Sequence, residues 1–167
     1  MKKVLFFAML AMLPMLVMGQ DKFGYVNSYE LMMQMPEINQ IEKDMVEFNK
    51  KNQDYLQTMQ AELQDKAAKY EQEKETLSES MKKVKEEELQ SMYDRIQNAY
   101  ASFQQEAQQE QEKKLQPVKE RLQAAIDSVG KKQNLLFVFD LSSGALLYKS
   151  DKAVDITAAV KKELGVL

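Results

Sequence analysis

The sequence predicts an α+β fold that is mostly α: a small β body with three strands per chain, from which a long antiparallel coiled-coil helical hairpin projects. Three observations predict this fold. Residues 37–116 contain no Gly and no Pro and are rich in Glu, Lys, Gln, Ala, Met and Leu, which favour helices. An apolar stripe with steps of three and four residues runs along this stretch. Short strand-like segments lie on both sides of it.

Residues 1–19 have the organisation of a cleaved signal peptide. Lys2 and Lys3 precede an uncharged run from Val4 to Met18, and Gly19 provides a small residue at the cleavage point. The run contains Pro14 and is shorter than the roughly 20 residues that a spanning helix needs, which favours a cleaved leader over an anchor. We therefore expect the chain to be exported. Without a cysteine, no lipid anchor is expected.

The body is predicted from residues 20–36 and 133–167, with its strands in three short segments. The first is Phe23–Asn27, the second is the apolar run Leu135–Phe139, and the third is Ala145–Tyr148 after a turn at residues 142–144. The last two would form a closing hairpin. Three short strands make a marginal core, so their apolar residues favour burial against copies of the same chain.

A final helix is predicted after these strands. Asp155 or Thr157 would provide its N-cap, and Gly165 would end it.

Residues 37–132 are predicted to form the helical arm. A single helix of this length could not bury its stripe, so the chain either pairs with another chain or folds back. Thr76, Ser78 and Ser80 offer side-chain caps, which places the tip near residues 76–84. In the returning helix, Pro117 predicts a kink or break and Gly130 an end. The apolar interface between the two helices of the arm, which we call the seam, is poorly filled, because Asn52 occupies a core-type position.

The composition argues against an enzyme. The chain has no Cys and no His, which removes thiolate nucleophiles, imidazole bases and Cys/His zinc sites. Consecutive acids such as Glu86–Glu88 point in different directions on a helix and form no paired site. The glycines Gly19 and Gly24 lack the Lys-Ser/Thr of a phosphate-binding loop, and a net charge of −3 gives no basic face for nucleic acid. No catalytic residue, cofactor or metal is expected.

The whole mature chain resembles the Skp (OmpH-like) family of periplasmic chaperones, most specifically at its two ends. The resemblance is carried by the opening strand Lys22–Asn27, the segment Leu147–Ser150, and the tail Val154–Thr157 followed by Val160 and Leu164. It implies trimers whose strands build a central barrel-like body, with three arms that enclose a cavity for unfolded outer-membrane β-barrel proteins, without ATP. The arms would correspond to residues 37–132.

The resemblance implies two sets of site residues. The oligomerisation body would contain Tyr25, Val26, Leu136, Val138 and Leu147. Methionine and aromatic side chains on the arms would offer weak, adaptable contacts to a client, since Met accommodates irregular partners. The client-contacting candidates are Met45, Tyr55, Met59, Tyr70, Met81, Met92 and Phe103.

One property departs from the family, whose well-studied members are basic. Removal of Lys2 and Lys3 leaves 21 basic and 26 acidic side chains, a net charge of −5. This charge argues against contact with anionic membrane components, with Lys82, Lys83 and Lys85 near the tip as the local exceptions. An alternative from another class is a periplasmic coiled-coil spacer or adaptor that docks onto an envelope complex through its arm tips.

Overall fold

The structure is a computed structural model that describes residues 22–166; the predicted signal peptide lies outside the described residues. The strands are β1 (Phe23–Val26), β2 (Phe137–Asp140) and β3 (Val154–Asp155). The helices are α1 (Ser28–Met33), α2 (Pro36–Glu73), α3 (Glu79–Lys132) and α4 (Thr157–Leu164), with short 3-10 turns at Lys74–Thr76 and Leu141–Ser143. No helix within residues 22–166 combines the length and apolarity needed to cross a bilayer.

The sheet is parallel and has the order β2-β1-β3, so that β1 lies in the centre. Phe23 is opposite Phe137 on one side, and Gly24 is opposite Val154 on the other. The prediction of a closing hairpin was therefore wrong. Because β2 and β3 both run parallel to β1, the chain from 141 to 153 must cross back over the sheet, and the predicted strand Ala145–Tyr148 lies in this crossover without regular structure.

The core lies between the inner face of the sheet and the base of the helices. Val26 of β1 packs with Leu122 of α3 and with Ile156 and Val160 at the C-terminal end of the chain. A Cβ atom on Gly24 would lie 2.6 Å from Leu135 Cδ1, so the absence of a side chain allows this close packing. The core thus joins the segment before the hairpin to the segment after it.

Helix α3 runs without interruption through Pro117 and past Gly130, so the predicted break and the predicted end were both wrong. Val118, Leu122 and other residues of the turns after Pro117 are buried in the core, and this packing offsets the lost backbone hydrogen bond. The helix ends at Lys132. Asn134 then adopts a left-handed conformation with φ 52°, and the helix end is satisfied by the Gln133 N–H, which donates to the Val129 carbonyl at 3.0 Å.

The C-terminal helix α4 is capped at both ends. The residue at its N-cap position is Ile156, in place of the predicted Asp155 or Thr157, and the Asp155 carboxylate accepts a hydrogen bond from the Thr157 N–H at 2.9 Å. Gly165 ends the helix with φ 72°, as predicted.

Candidate functional site

The two long helices α2 and α3 form an antiparallel hairpin. Glu37 near the start of α2 pairs with Arg121 near the base of α3. Tyr55 in the middle of α2 contacts Phe103, and Lys66 near its end pairs with Glu88. As the residue number rises along α2, the number of its partner falls along α3. At 1.5 Å per residue, the 38 residues of α2 make an arm about 57 Å long.

The tip of the hairpin is a short turn without Gly or Pro. Helix α2 ends at Glu73, the 3-10 turn Lys74–Thr76 follows, and α3 begins at Glu79. Ser78 is the N-cap of α3, and its hydroxyl accepts a hydrogen bond from the Met81 N–H at 3.4 Å. The turn overlaps the start of the interval in which the tip was predicted. Its local signal was the side-chain cap that Ser78 provides.

Ion pairs join α2 to α3 at several positions along the arm. The Lys114 ammonium lies 2.9 Å from the Asp44 carboxylate, and its hydrogen bond lowers the pKa of Asp44. Closer to the tip, the hydrogen bond from Lys66 lowers the pKa of Glu88. These pairs are exposed or half-exposed, so each one contributes little stability on its own. Their positions show which residues of the two helices face each other, that is, the register of the hairpin.

Tyr70 is buried between the helices, near the tip. Its hydroxyl donates a hydrogen bond of 2.5 Å to the Glu86 carboxylate, and this bond, together with burial, raises the pKa of Tyr70 to about 12. The Lys74 ammonium lies 5.6 Å from the ring centroid. Tyr70 was predicted to contact a client, but in this conformation its side chain belongs to the seam and is not presented outward.

The other client-contacting candidates differ in how far they are presented. Met81 near the tip and Tyr55 in the middle are exposed, with 47% and 52% of their surface accessible. The Tyr55 ring meets the edge of the Phe103 ring at a centroid distance of 5.9 Å. The remaining candidates are half-buried in the seam: Met45, Met59, Met92 and Phe103.

The outer face of the sheet exposes an aromatic cluster. Phe23 of β1 and Phe137 of β2 stack with ring centroids 6.2 Å apart, and Phe139 lies 6.3 Å from Phe23. Phe137 and Phe139 keep 57% and 42% of their surface accessible. Beside them, the Lys149 ammonium lies 4.3 Å from the centroid of the Tyr25 ring. Apolar side chains on an exposed face of this kind mark an interaction surface.

The predicted body residues divide between the two faces of the sheet. Val26 is buried in the core of the chain, and Val138 packs against that core, so neither lies on the outer face. Leu136 and Leu147 are exposed, Leu147 with 97% of its surface accessible. The apolar strand residues, Phe137 and Phe139 above all, were expected to be buried against copies of the chain, and alternation along the strand Leu135–Phe139 places both on one face. Phe23 was not among the predicted body residues.

Two polar clusters that hold the body together were also missed. Arg121 pairs with Glu37 and donates a hydrogen bond of 2.6 Å to the Leu164 carbonyl, which ties both long helices to α4. The Asp140 carboxylate accepts hydrogen bonds from Ser28 and Ser142. Apart from Ser142, which is two residues from Asp140, the partners in these clusters are far apart in sequence, and only the fold brings them together. Among residues 22–166, no group of acidic side chains is arranged to hold a metal ion.

The arm and the exposed sheet face define a binding protein. The family model described as Outer membrane protein (OmpH-like) matches residues 22–164. The chain therefore belongs to the OmpH-like family, a periplasmic family of chaperones for outer-membrane proteins. No curated protein matches the sequence closely enough to count as a relative.

Proposed function

We propose that this protein is an ATP-independent periplasmic holdase that binds unfolded outer-membrane β-barrel proteins between its helical arms and prevents their aggregation. The observation that supports this proposal best is the hairpin itself: a long arm whose seam and sides expose Met and Tyr side chains, and whose base is fixed to a separate body. Weak contacts of this kind hold an unfolded chain collectively while each contact exchanges freely.

The holdase would act as an oligomer, and we propose a trimer. The exposed cluster of Phe23, Phe137 and Phe139 supports association through the outer face of the sheet, because a face with this many accessible aromatic rings is costly to leave in water. Several arms that project from one shared body would surround a client from more than one side. Residues 1–19 would direct export of the chain to the periplasm and would then be cleaved off.

The test is the light-scattering mass of the chain Gln20–Leu167, alone and after an outer-membrane β-barrel protein unfolded in urea is diluted into it without nucleotide. We expect the mass of a trimer that increases by one client, with the client kept in solution. A client that aggregates in its presence as fast as in its absence would contradict the proposal.

A shortened variant tests whether the arms carry the holdase activity. Tyr55 contacts Phe103, so the helices are still in register a turn further on, and residues 60–98 can be replaced by a short glycine-rich turn. The shortened chain keeps its body, and we expect the same oligomeric mass with client protection lost. Full protection by the shortened chain would remove the arms from the mechanism.

A further inference from the structure

The two broad sides of the hairpin differ in charge. On one side of the seam, a groove between the helices is lined by Tyr55, Glu62 and Arg95. Lys66 is one turn beyond Glu62 on α2, and its ion pair with Glu88 adds two more charges to this side. This side, the charged side of the hairpin, therefore combines charged residues with the apolar side chains of Met59 and Met92, which also line the groove.

The opposite side of the seam carries no charged residue along its grooves. A groove of about 650 Å³ lies between the helices there, with the amides of Asn49, Gln53, Gln104 and Gln108 on its walls. A smaller groove of about 220 Å³ continues it toward the tip, lined by Gln60 and Gln97. We call this surface the amide face. Leu56 and Tyr100 line both grooves and supply an apolar strip along the middle of the amide face.

Among residues 22–166, the amides of this face have no hydrogen-bond partner. Elsewhere on the helices, Gln40, Gln90 and Gln123 each donate to an Asp side chain four residues later. Between residues 22 and 166, the side chains that line the amide face donate no such bond: Gln53, Gln60 and Gln104 have Gln four residues later, and Gln108 does not bond to Glu112. Beneath the larger groove, the Nδ2 atom of Asn52 is buried and also has no partner in this part of the chain.

We propose that the amide face binds the backbone of the client in an extended conformation, an inference that rests on the proposed holdase function. A carboxamide offers both a donor and an acceptor, as a peptide group does, and neither carries a charge. An unfolded chain presents peptide N–H and C=O groups along its whole length, and the strip of Leu56 and Tyr100 receives its apolar side chains. A strongly charged partner would lose hydration against this neutral surface without a countercharge.

The consequence is recognition that depends on the unfolded state of the client and not on its sequence or net charge. Binding should therefore change less than about twofold between 50 mM and 500 mM NaCl, because salt screens charge pairs and leaves hydrogen bonds between neutral groups nearly unaffected.

The experiment compares two double variants on α3 that have the same composition. Gln104→Leu with Gln108→Leu removes two amides from the groove, and Gln105→Leu with Gln109→Leu removes two exposed amides that do not line it. The affinity of each full-length variant is measured for a β-barrel protein unfolded in urea. We expect the first variant to bind about tenfold more weakly, since two hydrogen bonds to the client are lost, and the control to bind as the unmodified chain does.

Other outcomes have distinct meanings. Stronger binding by Gln104→Leu with Gln108→Leu would overturn the inference in favour of a purely apolar contact, and a steep loss with salt would assign the client to the charged side. A lower oligomeric mass for this variant alone would mean that the amide face joins copies of the chain, which also overturns it. If the unmodified chain does not bind the client, the proposed function fails, independently of the two variants.

Discussion

Asp140 is a single residue on which the geometry of the body depends. Its Oδ1 atom accepts from the backbone N–H of Ser28 and of Ser142 at 3.0 Å, and its Oδ2 atom accepts from their hydroxyls at 2.5 and 2.8 Å. The end of β2 is thereby fixed to the start of α1. Burial opposes ionisation of this carboxyl, but the hydrogen bonds outweigh it and lower the pKa of Asp140.

Replacement of Asp140 by Asn should destabilise the protein. The amide keeps one acceptor oxygen and turns its NH₂ group toward donors, so we expect the free energy of unfolding at pH 7 to fall by about 1–3 kcal/mol. The carboxylate contributes stability above its unfolded pKa of about 3.9, and this contribution is lost as the pH falls through the lower folded pKa. Urea unfolding at pH 7 and at pH 2.5 measures both effects. A gap between the two proteins that does not narrow at low pH would contradict this account.

Tyr70 gives a signal that reports directly on the closed tip of the arm. Its hydrogen bond to Glu86 raises the pKa of Tyr70 to about 12. Absorbance titration of the tyrosinates should therefore show one late step near pH 12 that disappears in Tyr70→Phe. The exposed position Tyr93 provides the control, since Tyr93→Phe should leave the late step in place. If no late step is present in the unmodified protein, or if Tyr70→Phe leaves the late step in place, the Tyr70 hydroxyl does not hold this hydrogen bond in solution.

Among the elements, α3 is the one that connects arm and body, and Pro117 lies at that junction. The proline lacks the N–H that would bond the carbonyl of Lys113, and its own side chain is exposed. Pro117→Ala should restore this bond and raise the free energy of unfolding by about 1–3 kcal/mol. Thermal unfolding followed by circular dichroism measures the gain, with the exposed Gln111→Ala as control. An equal or lower melting temperature for Pro117→Ala would indicate that the helix is adapted to the proline.

The elements that the sequence predicts correctly are those whose stabilising contacts are local. Composition and the three-and-four spacing predict the two long helices, because each turn repeats the same apolar contact with the facing helix. The segment Ala145–Tyr148 is an apolar run of strand length, yet strand formation depends on a partner edge, and both edges of β1 are taken by β2 and β3. The helix through Pro117 likewise depends on core packing that lies far away in sequence.

The same distinction applies to the candidate site. Which face a helical residue occupies follows from its number, and the three-and-four stripe includes Tyr55, so the sequence places this residue at the seam and does not predict its exposure. Whether the side chain is covered depends on the facing helix. Tyr70 is covered because Glu86 is at the same level and accepts its hydroxyl, and this pairing follows from the register of the hairpin.

For the molecule as a whole, the sheet depends on both ends of the chain. The central strand β1 precedes the hairpin, while β2 and β3 follow it, and the salt bridge between Glu37 and Arg121 closes the base where the two parts meet. The body therefore requires residues 23–26 and 137–155, which the hairpin separates in sequence, to lie side by side. The inner face of this sheet is filled by the chain's own helices, and the outer face exposes Phe23, Phe137 and Phe139.

The exposed aromatic face leads to a prediction for the assembly. Phe137→Asp with Phe139→Asp places two charges where a neighbouring copy would bury apolar rings, so the oligomer should dissociate to monomers. Both side chains point away from the core, and circular dichroism should therefore show unchanged helix content. Sedimentation equilibrium at micromolar concentration measures the mass. Tyr93→Asp, at an exposed aromatic position on the arm, should keep the full mass. An unmodified chain that is already monomeric, or a double variant that stays associated, would show that the sheet face is not the contact between copies.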